Sequence, residues 1–381
     1  MSTYRALKGY SIKKVTSDPT NPKEGQVWYN STELKIKGRL TIGAAFASGG
    51  NLPAAKNDGA GAGTLTAGLQ FGSSRVPDSP NTGGLSTQNG TNEYDGSSWT
   101  AGGNMNTGRT TFGGTGTQTA ALAFGGGTQW PGVGTTANTE TYNGSNWTEV
   151  NNLNSARRNL TGLGLQTAAL GFGGGPPAQD LTESWNGSNW TEVNDLNTAK
   201  DNNPGGTGTT TAGIAFGGEG SPGAVTATTE TWNGTNWTEV NDMNTARHSL
   251  GSAGTSSSAF GFGGAPGSPV GALTESWNGT NWTEVNDLNT GSREGPGGFG
   301  ASNTSALCVS AGTVNTEEWN GSNWTEVANV STPVSNCGPT QSGTTSLGAI
   351  FGGFSPPGII PQQTTEEWTG PYEETRTFTD S

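Results

Sequence analysis

The feature that most constrains the fold of this chain is a unit that recurs every 42 to 48 residues. In most copies, a phenylalanine followed by two glycines precedes a segment such as TETYNGSNWTEV, and a shorter element such as LNSAR comes next. The tryptophan of the middle segment recurs at Trp99, Trp147, Trp190, Trp237, Trp282 and Trp324. A fixed period of this length predicts an array of similar supersecondary units, each packed against its neighbours.

The composition agrees with such an array better than with disorder. Only 29% of the 381 residues are hydrophobic and 65 are glycine, values that are also typical of disordered chains. The 13 tryptophans argue against disorder, because disordered segments are poor in aromatic residues. We therefore expect a folded, glycine-rich repeat protein.

Each repeat has the pattern of an antiparallel β-sheet. The segment TAALAFGG, residues 119–126, is almost wholly small and apolar, which favours a strand buried on both faces. The segment ETYNGSNWTEV predicts a hairpin in which Tyr142 lies opposite Trp147 and Glu140 opposite Glu149. Seven copies of the apolar strand end at Phe71, Phe124, Phe172, Phe216, Phe262, Val309 and Phe351. Several short strands per copy at this period are typical of a β-propeller blade.

The paired glycines, the hairpin with its tryptophan and the LNSAR-type element together resemble kelch repeats over about residues 44–369. The resemblance implies an all-β fold, a seven-bladed kelch-like β-propeller. Residues 44–50 align with the outermost strand of a repeat, with Phe46 at the place of tryptophan, so we expect them to complete the seventh blade. Strands from the N- and C-terminal regions would then close the ring. Departures from the pattern at 309–312 and 333–334 predict looser blades there.

The sequence predicts no catalytic, cofactor or metal site. Copper oxidases resembling galactose oxidase need several imidazole and phenolate ligands, whereas His248 is the only histidine here and is expected at the surface. Glycosidases pair two carboxylates of different roles, but the acids of this chain recur in every repeat. They precede the turn at Glu140, Glu183, Glu230 and Glu275 and follow it at Glu149, Glu192, Glu239 and Glu284. We expect them on solvated outer edges, with divalent cations bridging facing pairs as the alternative.

The first 40 residues differ in charge from the rest. They contain eight basic and three acidic residues, a net charge of +5, against −18 for the remainder. The segments SIKKV and LKIKG alternate like half-exposed strands, and VWYNSTELKIKG predicts a hairpin turning near residues 30–32. The segments SDPTNP, GQVWYNST and LKIKG are similar to N-terminal parts of bacteriophage virion proteins, notably tail-fibre-like chains of marine phages. Some of those chains continue into kelch-type repeats.

These comparisons divide the chain into an N-terminal virion-anchoring β segment at 1–43, the propeller at 44–369 and a C-terminal tail at 370–381. The acidic body argues against a nucleic-acid partner, and no apolar run approaches the length of a membrane span. The N-terminus carries no apolar signal segment, and the hairpin explains the Asn-Trp-Thr triplets without glycosylation. Cys308 and Cys337 are too few for a disulfide framework and are expected to be buried thiols.

Together these features predict a non-enzymatic structural protein of the phage virion, located on the particle surface or tail. Residues 1–40 would dock to other virion proteins, and the propeller would be displayed for host attachment or decoration, as in a tail fibre or adhesin. The host partner would be a surface glycan or protein, contacted by variable Gly/Pro-rich loops in which Trp130 is the binding candidate. A homo-oligomer on the particle is compatible with this role. The alternatives are a carbohydrate-active propeller enzyme, a head or capsid decoration protein without receptor binding, and an intracellular scaffold resembling cellular kelch adaptors.

Overall fold

The computed structural model describes residues 12–75, 86–129, 133–202, 204–265, 270–291, 295–309, 312–339, 344–355 and 360–378. The chain forms two compact units, one of residues 1–45 with 370–381 and one of residues 46–369. Both are built of β-strands, and a single 3₁₀ turn at Val270–Ala272 is the one helical element in the described ranges. No helix in this part of the chain is long and apolar enough to cross a membrane.

The first unit begins with three strands of one sheet, β1 (Lys13–Val15), β2 (Val27–Asn30) and β3 (Lys35–Ile42). β1 runs parallel to β2, and β2 runs antiparallel to β3 with Tyr29 opposite Ile36. The hairpin predicted from VWYNSTELKIKG is therefore confirmed.

The second unit contains seven four-stranded antiparallel sheets within its described residues. The chain enters it through β4 (Ala45–Ser48). Sheet 1 consists of β5 (Ala60–Thr64), β6 (Ala67–Arg75), β7 (Ser86–Tyr94) and β8 (Trp99–Ala101). Sheet 2 consists of β9 (Gly113–Thr117), β10 (Ala120–Phe124), β13 (Thr139–Tyr142) and β14 (Trp147–Val150), with a small hairpin of β11 (Gly127–Gln129) and β12 (Val133–Thr135) inserted.

The next two sheets follow the same order. Sheet 3 consists of β15 (Thr161–Leu165), β16 (Ala168–Phe172), β17 (Thr182–Trp185) and β18 (Trp190–Glu192). Sheet 4 consists of β19 (Gly205–Thr209), β20 (Ala212–Phe216), β23 (Thr229–Trp232) and β24 (Trp237–Val240), with the inserted hairpin of β21 (Glu219–Gly220) and β22 (Ala224–Val225).

The last three sheets complete the second unit. Sheet 5 consists of β25 (Gly251–Thr255), β26 (Ser258–Phe262), β27 (Thr274–Trp277) and β28 (Trp282–Glu284). Sheet 6 consists of β29 (Gly297–Ser302), β30 (Ser305–Val309), β31 (Thr316–Trp319) and β32 (Trp324–Glu326). Sheet 7 consists of β33 (Gly338–Pro339), β34 (Leu347–Phe351), β37 (Thr365–Thr369) and β4, with the inserted hairpin of β35 (Phe354–Ser355) and β36 (Ile360–Pro361).

The hairpin register predicted from the repeat is confirmed. Tyr142 lies opposite Trp147 and Glu140 opposite Glu149 in the β13–β14 pair. The turn between them is held by the Asn143 side-chain oxygen, which accepts hydrogen bonds from the N–H groups two and three residues later at 3.0 and 2.9 Å. Local turn chemistry thus fixes which aromatic residues meet.

The core lies between successive sheets, where aromatic rings from neighbouring repeats meet. Phe124, at the end of β10, packs against Trp190 of sheet 3 with ring centroids 4.8 Å apart. The same contact joins Phe351 of sheet 7 to Trp99 of sheet 1 at 5.1 Å. These sheets therefore bury apolar side chains against the neighbouring sheet, including sheet 7 against sheet 1.

The tryptophan ring nitrogens form a second set of links between sheets. Trp190 Nε1 donates to the Thr139 hydroxyl of the preceding sheet at 2.9 Å. The full set of such links is Trp99–Thr365, Trp147–Thr91, Trp190–Thr139, Trp237–Thr182, Trp282–Thr229 and Trp324–Thr274. Sheet 1 is joined to sheet 7 in the same way that sheet 3 is joined to sheet 2.

β4 occupies the outer edge of sheet 7, beside β37. Phe46 packs against Trp368 with centroids 5.0 Å apart, as the tryptophans of the other sheets pack against the aromatic residue opposite them. The predicted pairing of these two chain regions is therefore confirmed. Because phenylalanine has no ring N–H, the equivalent threonine, Thr316, is left with a buried hydroxyl that has no partner among the described residues.

The sheets follow one another in a closed order. The first strands, β5, β9, β15, β19, β25, β29 and β33, each lie beside the next, and β33 lies beside β5. This arrangement of four-stranded antiparallel sheets is consistent with a β-propeller.

The paired glycines permit the connections between sheets to pass close to the strand ends. Gly125 has a φ of +67°, and a Cβ atom there would lie 2.7 Å from the carbonyl oxygen of Arg157 in the following connection. Gly126 donates its N–H to that same oxygen at 2.8 Å. A side chain at position 125 would be strained and would also prevent this approach.

The first unit is completed by the last strand, β38 (Tyr372–Phe378). It pairs antiparallel with β3, with Arg39 opposite Thr375, and the sheet order is β1-β2-β3-β38. The residues assigned from the sequence to a C-terminal tail thus include a strand of the same sheet as the N-terminal segment. Trp28 is fully buried in this unit.

Candidate binding face

The recurring acidic residues that precede the turn are buried, which corrects the expectation that they lie on solvated outer edges. Glu140, Glu183, Glu230, Glu275 and Glu317 are each between 0 and 3% exposed. They lie between sheets, where the connection from the preceding repeat supplies hydrogen-bond donors. The second set, represented by Glu149 and Glu192, is exposed as expected.

Sheet 3 illustrates how three of these buried carboxylates are satisfied. Glu183 accepts hydrogen bonds from the Asn154 backbone N–H at 2.7 Å and from its side-chain amide at 2.8 Å. The other carboxylate oxygen lies 3.0 Å from Arg157 Nη1, and both side chains of this ion pair are at most 1% exposed. Burial lowers the pKa of Arg157, while the Glu183 carboxylate opposes that effect. We call this arrangement the buried clamp.

The buried clamp recurs with Arg109–Glu140 and Arg247–Glu275. Its donors are the asparagine and arginine of the LNSAR-type element, so both halves of the repeat motif serve one structural purpose. The sequence contained the signal that could have revealed it, because the acid and the cation recur together at fixed places in successive repeats.

Sheet 1 departs from the buried clamp in both partners at once. Lys56 stands at the place of the arginine and Asn92 at the place of the glutamate. The Lys56 amine donates to the carbonyl oxygen of Gly90 at 2.8 Å and forms no ion pair within the described ranges. Burial lowers the pKa of Lys56 to about 7. Beside it lies a cavity of about 10 Å³, lined in part by Gln70 and Asn336, with room for about one water molecule.

The loops that follow the paired glycines are anchored at their bases by the same connections. Single β-bridges join Thr110 to Gly127, Arg158 to Gly175, Asp201 to Glu219, His248 to Ala265 and Ser335 to Phe354. The connections and loops therefore lie at one end of the strands, which we call the loop face. Rigid bases with exposed tips are a common arrangement for recognition.

Two of the described loop tips are clearly exposed. Residues 221–223, between β21 and β22, are exposed, and Ile360 in the loop of sheet 7 has 58% of its surface exposed. Trp130, the binding candidate from the sequence, lies outside the described residues. Loop length and composition differ from sheet to sheet, whereas the loop bases repeat.

His248 lies on the loop face but is not a surface residue, contrary to expectation. It is 7% exposed, and its Nε2 lies 3.3 Å from a Glu219 carboxylate oxygen. Its Nδ1 lies 3.2 Å from the Asn202 side-chain amide and 3.1 Å from the Ser249 hydroxyl. These contacts satisfy the ring from several sides, which makes His248 a structural link between the loop and connection of neighbouring sheets.

The described part of this face holds no cluster of metal ligands. Across the described ranges, no three His, Cys, Asp or Glu side chains are placed to hold a metal ion. Cys308 is buried, and Cys337 is half-buried with a pKa that burial raises to about 12. The Cys337 thiol is therefore protonated near neutral pH.

The first unit has its own polar cluster, which joins the three segments singled out in the sequence. Asp18 of SDPTNP accepts hydrogen bonds from Trp28 Nε1 at 3.0 Å, from the Asn30 amide at 2.9 Å and from the Lys37 amine at 2.6 Å. Lys37 also contacts Glu33 at 2.8 Å. These hydrogen bonds, that from Lys37 foremost, lower the pKa of Asp18 to about 2. The three segments thus encode a local fold.

Comparison of the chain with protein-family models and with curated proteins finds no match. The assignment of a function consequently depends on the geometry described above.

Proposed function

We propose that the second unit is a seven-bladed kelch-like β-propeller, closed by β4, and that the protein is a non-enzymatic structural component of a phage virion. The closed order of the first strands supports seven blades. The hydrogen bond from Trp99 Nε1 to the Thr365 hydroxyl, 2.8 Å long, supports closure because it joins the first sheet to the last. A closed ring has no unpaired seam at which the array could open.

The observation that carries this proposal is the use of the recurring charged groups within the frame. Three arginines of the repeats, Arg109, Arg157 and Arg247, pair with glutamates in buried clamps, and His248 links neighbouring sheets. The parts of each repeat that differ most in length and composition are the loops that follow the paired glycines. A rigid frame that varies only in its loops is suited to presenting a surface to a partner.

The first unit supports the role of attachment to the particle. An open groove of about 610 Å³ is lined by residues 13–20 together with Ser31. Lys13 and Lys14 line it and are exposed, so an acidic surface on another virion protein is the complementary partner.

The experiment that tests the display role measures binding of the full chain to a glycan array and to a panel of marine bacterial cells. Ile360→Ser alters an exposed apolar residue of the loop face. The control variant, Leu347→Ser, alters an exposed apolar residue at the end of β34 away from the loop face. Leu347 is 52% exposed and Ile360 is 58% exposed. We expect loss of binding with the first variant alone. Equal loss with both variants would argue against a binding loop face.

Absence of any binding by the native chain would favour decoration of the particle without receptor recognition. Turnover of a carbohydrate substrate, in oxidase or hydrolase assays of the same preparation, would instead favour the enzyme alternative and overturn the proposal.

A further inference from the structure

We propose that the free edge of β38 pairs antiparallel with β38 of a second copy, joining the two four-stranded sheets of the first unit into one sheet of eight strands. Among the described residues, no strand lies on the side of β38 away from β3. β38 is seven residues long, and its burial pattern is exposed at six positions. Long exposed edges are ready-made sites for pairing with another chain. This inference does not depend on the function proposed for the propeller.

The backbone of β38 is oriented for such pairing. The Arg39 N–H donates to Gln26 O, and the Arg39 carbonyl accepts from Gly25 N–H, both at 2.9 Å, so the peptide groups of Arg39 face β2. Its partner in β38, Thr375, therefore belongs to a pair without mutual hydrogen bonds, and its N–H and C=O point to the free edge. Glu373 and Thr377 point the same way because the pattern alternates.

The sequence of β38, Tyr-Glu-Glu-Thr-Arg-Thr-Phe, is complementary to itself when reversed about Thr375. In that register Tyr372 faces Phe378 of the second copy, and Glu374 faces Arg376 of the second copy. Thr375 faces its own equivalent. Aromatic, opposite-charge and threonine pairs are each among the favourable cross-strand combinations. The peptide groups of Glu373, Thr375 and Thr377 would then exchange hydrogen bonds across the interface.

The neighbouring registers are disfavoured by charge. Since peptide groups that face outward must meet, the symmetry centre of the pair lies on a residue. A centre at Glu374 places two glutamates opposite each other, and a centre at Arg376 places two arginines opposite each other. Within one copy, Arg376 Nε lies 3.1 Å from a Glu374 carboxylate oxygen. In the register about Thr375, the ion pairs of the two copies lie side by side, and each charge faces an opposite charge of the second copy.

The opposite edge of the same sheet lacks these properties. β1 is only three residues long and carries the exposed Lys13 and Lys14. Short length and lysine side chains are the usual means by which an edge is protected from pairing. The edge available for pairing is therefore that of β38. Its two terminal side chains, Tyr372 and Phe378, are 47% and 49% exposed.

Sedimentation velocity of the full chain over a range of concentrations tests the proposal. We expect a monomer–dimer equilibrium, and we expect Glu374→Arg or Arg376→Glu alone to raise the dissociation constant about tenfold or more. A mixture of the two single variants restores complementarity, so it is expected to form a heterodimer of native affinity. The combined exchange Glu374→Arg/Arg376→Glu is expected to recover the homodimer.

A backbone variant provides an independent check. Thr375→Pro removes an N–H that points to the free edge and leaves the hydrogen bonds between β38 and β3 in place. We expect it to be monomeric with an unchanged circular dichroism spectrum. A native chain that stays monomeric at every concentration, or a dimer that is indifferent to both charge reversals, would overturn the proposal.

Discussion

Replacement of Phe46 by tryptophan is expected to stabilise the second unit, because it restores a hydrogen bond that six of the seven sheets make. Phe46 occupies the tryptophan position of sheet 7, 5.0 Å from Trp368. The equivalent acceptor in the preceding sheet is the Thr316 hydroxyl, which is buried and has no partner among the described residues. A tryptophan at position 46 is expected to donate its indole N–H to the Thr316 hydroxyl. The tryptophans of the other six sheets donate to their threonines in this way.

The expected magnitude follows from the net value of one buried hydrogen bond. Such a bond contributes about 1 kcal/mol, and the cost of leaving a buried hydroxyl without a partner is about 1–3 kcal/mol. For a unit of this size, a gain of about 1 kcal/mol corresponds to a rise of about 1–2 °C in melting temperature. Urea unfolding followed by circular dichroism measures the same change as a shift in midpoint.

Two threonine variants separate the hydrogen bond from other effects of a larger ring. Thr316→Val removes a hydroxyl without a partner and should be neutral or slightly stabilising. Thr274→Val removes the acceptor of Trp324 and should cost about 1–3 kcal/mol. In the Thr316→Val background, Phe46→Trp should lose its advantage. An equal gain in both backgrounds would refute the reasoning.

Three further substitutions test the frame. Arg157→Met should destabilise the protein by about 3–5 kcal/mol in urea unfolding, because it leaves the Glu183 carboxylate buried without its cation. Gly125→Ala should cost more than 1 kcal/mol, since φ is +67° and the new Cβ would lie 2.7 Å from a carbonyl oxygen. The folded-state pKa of Lys56 is lowered to about 7, so the unfolded chain holds more protons between pH 7 and 10 and stability should rise over that range. Lys56→Met should flatten that rise.

Each of these expectations has a matched control. Glu183→Gln added to Arg157→Met removes the stranded charge and should recover part of the loss; a double variant as unstable as the single one would contradict the clamp argument. Gly223 has a φ of +94° with no atom within 4 Å of a new Cβ, so Gly223→Ala should cost less than Gly125→Ala. Burial lowers the pKa of Lys200 to about 8, so some pH dependence of stability should remain in Lys56→Met. A pH profile of stability that is identical in Lys56→Met and the native protein would count against the titration of Lys56.

The local parts of this fold were predictable from sequence, as the hairpin of sheet 2 illustrates. The facing of Tyr142 and Trp147 follows from the length and turn chemistry of a segment that is contiguous in the chain. The position of Phe46 beside Trp368 was also accessible, because a partial repeat at one end of the array matched the element missing at the other. Because the unit repeats, this long-range contact could be inferred by aligning one repeat with another.

The candidate binding face was predictable only in outline. The variable loops were recognisable as insertions between repeating elements, but the positions of Glu140 and His248 were assigned wrongly. Both residues look like ordinary surface groups in a single strand or connection. Their burial depends on donors from other repeats, such as Arg109 for Glu140, that approach only when the sheets pack.

The sequence by itself determined the strand pattern and the hairpin register of the repeats, because these depend on short-range periodicity and on turn residues. Tertiary structure decided that the recurring acids are buried ion-pair partners and that residues 372–378 form a strand against β3 rather than a tail. The physical reason is that the cost of burying a charge or a strand edge depends on what lies opposite it. That partner can be hundreds of residues away in the chain.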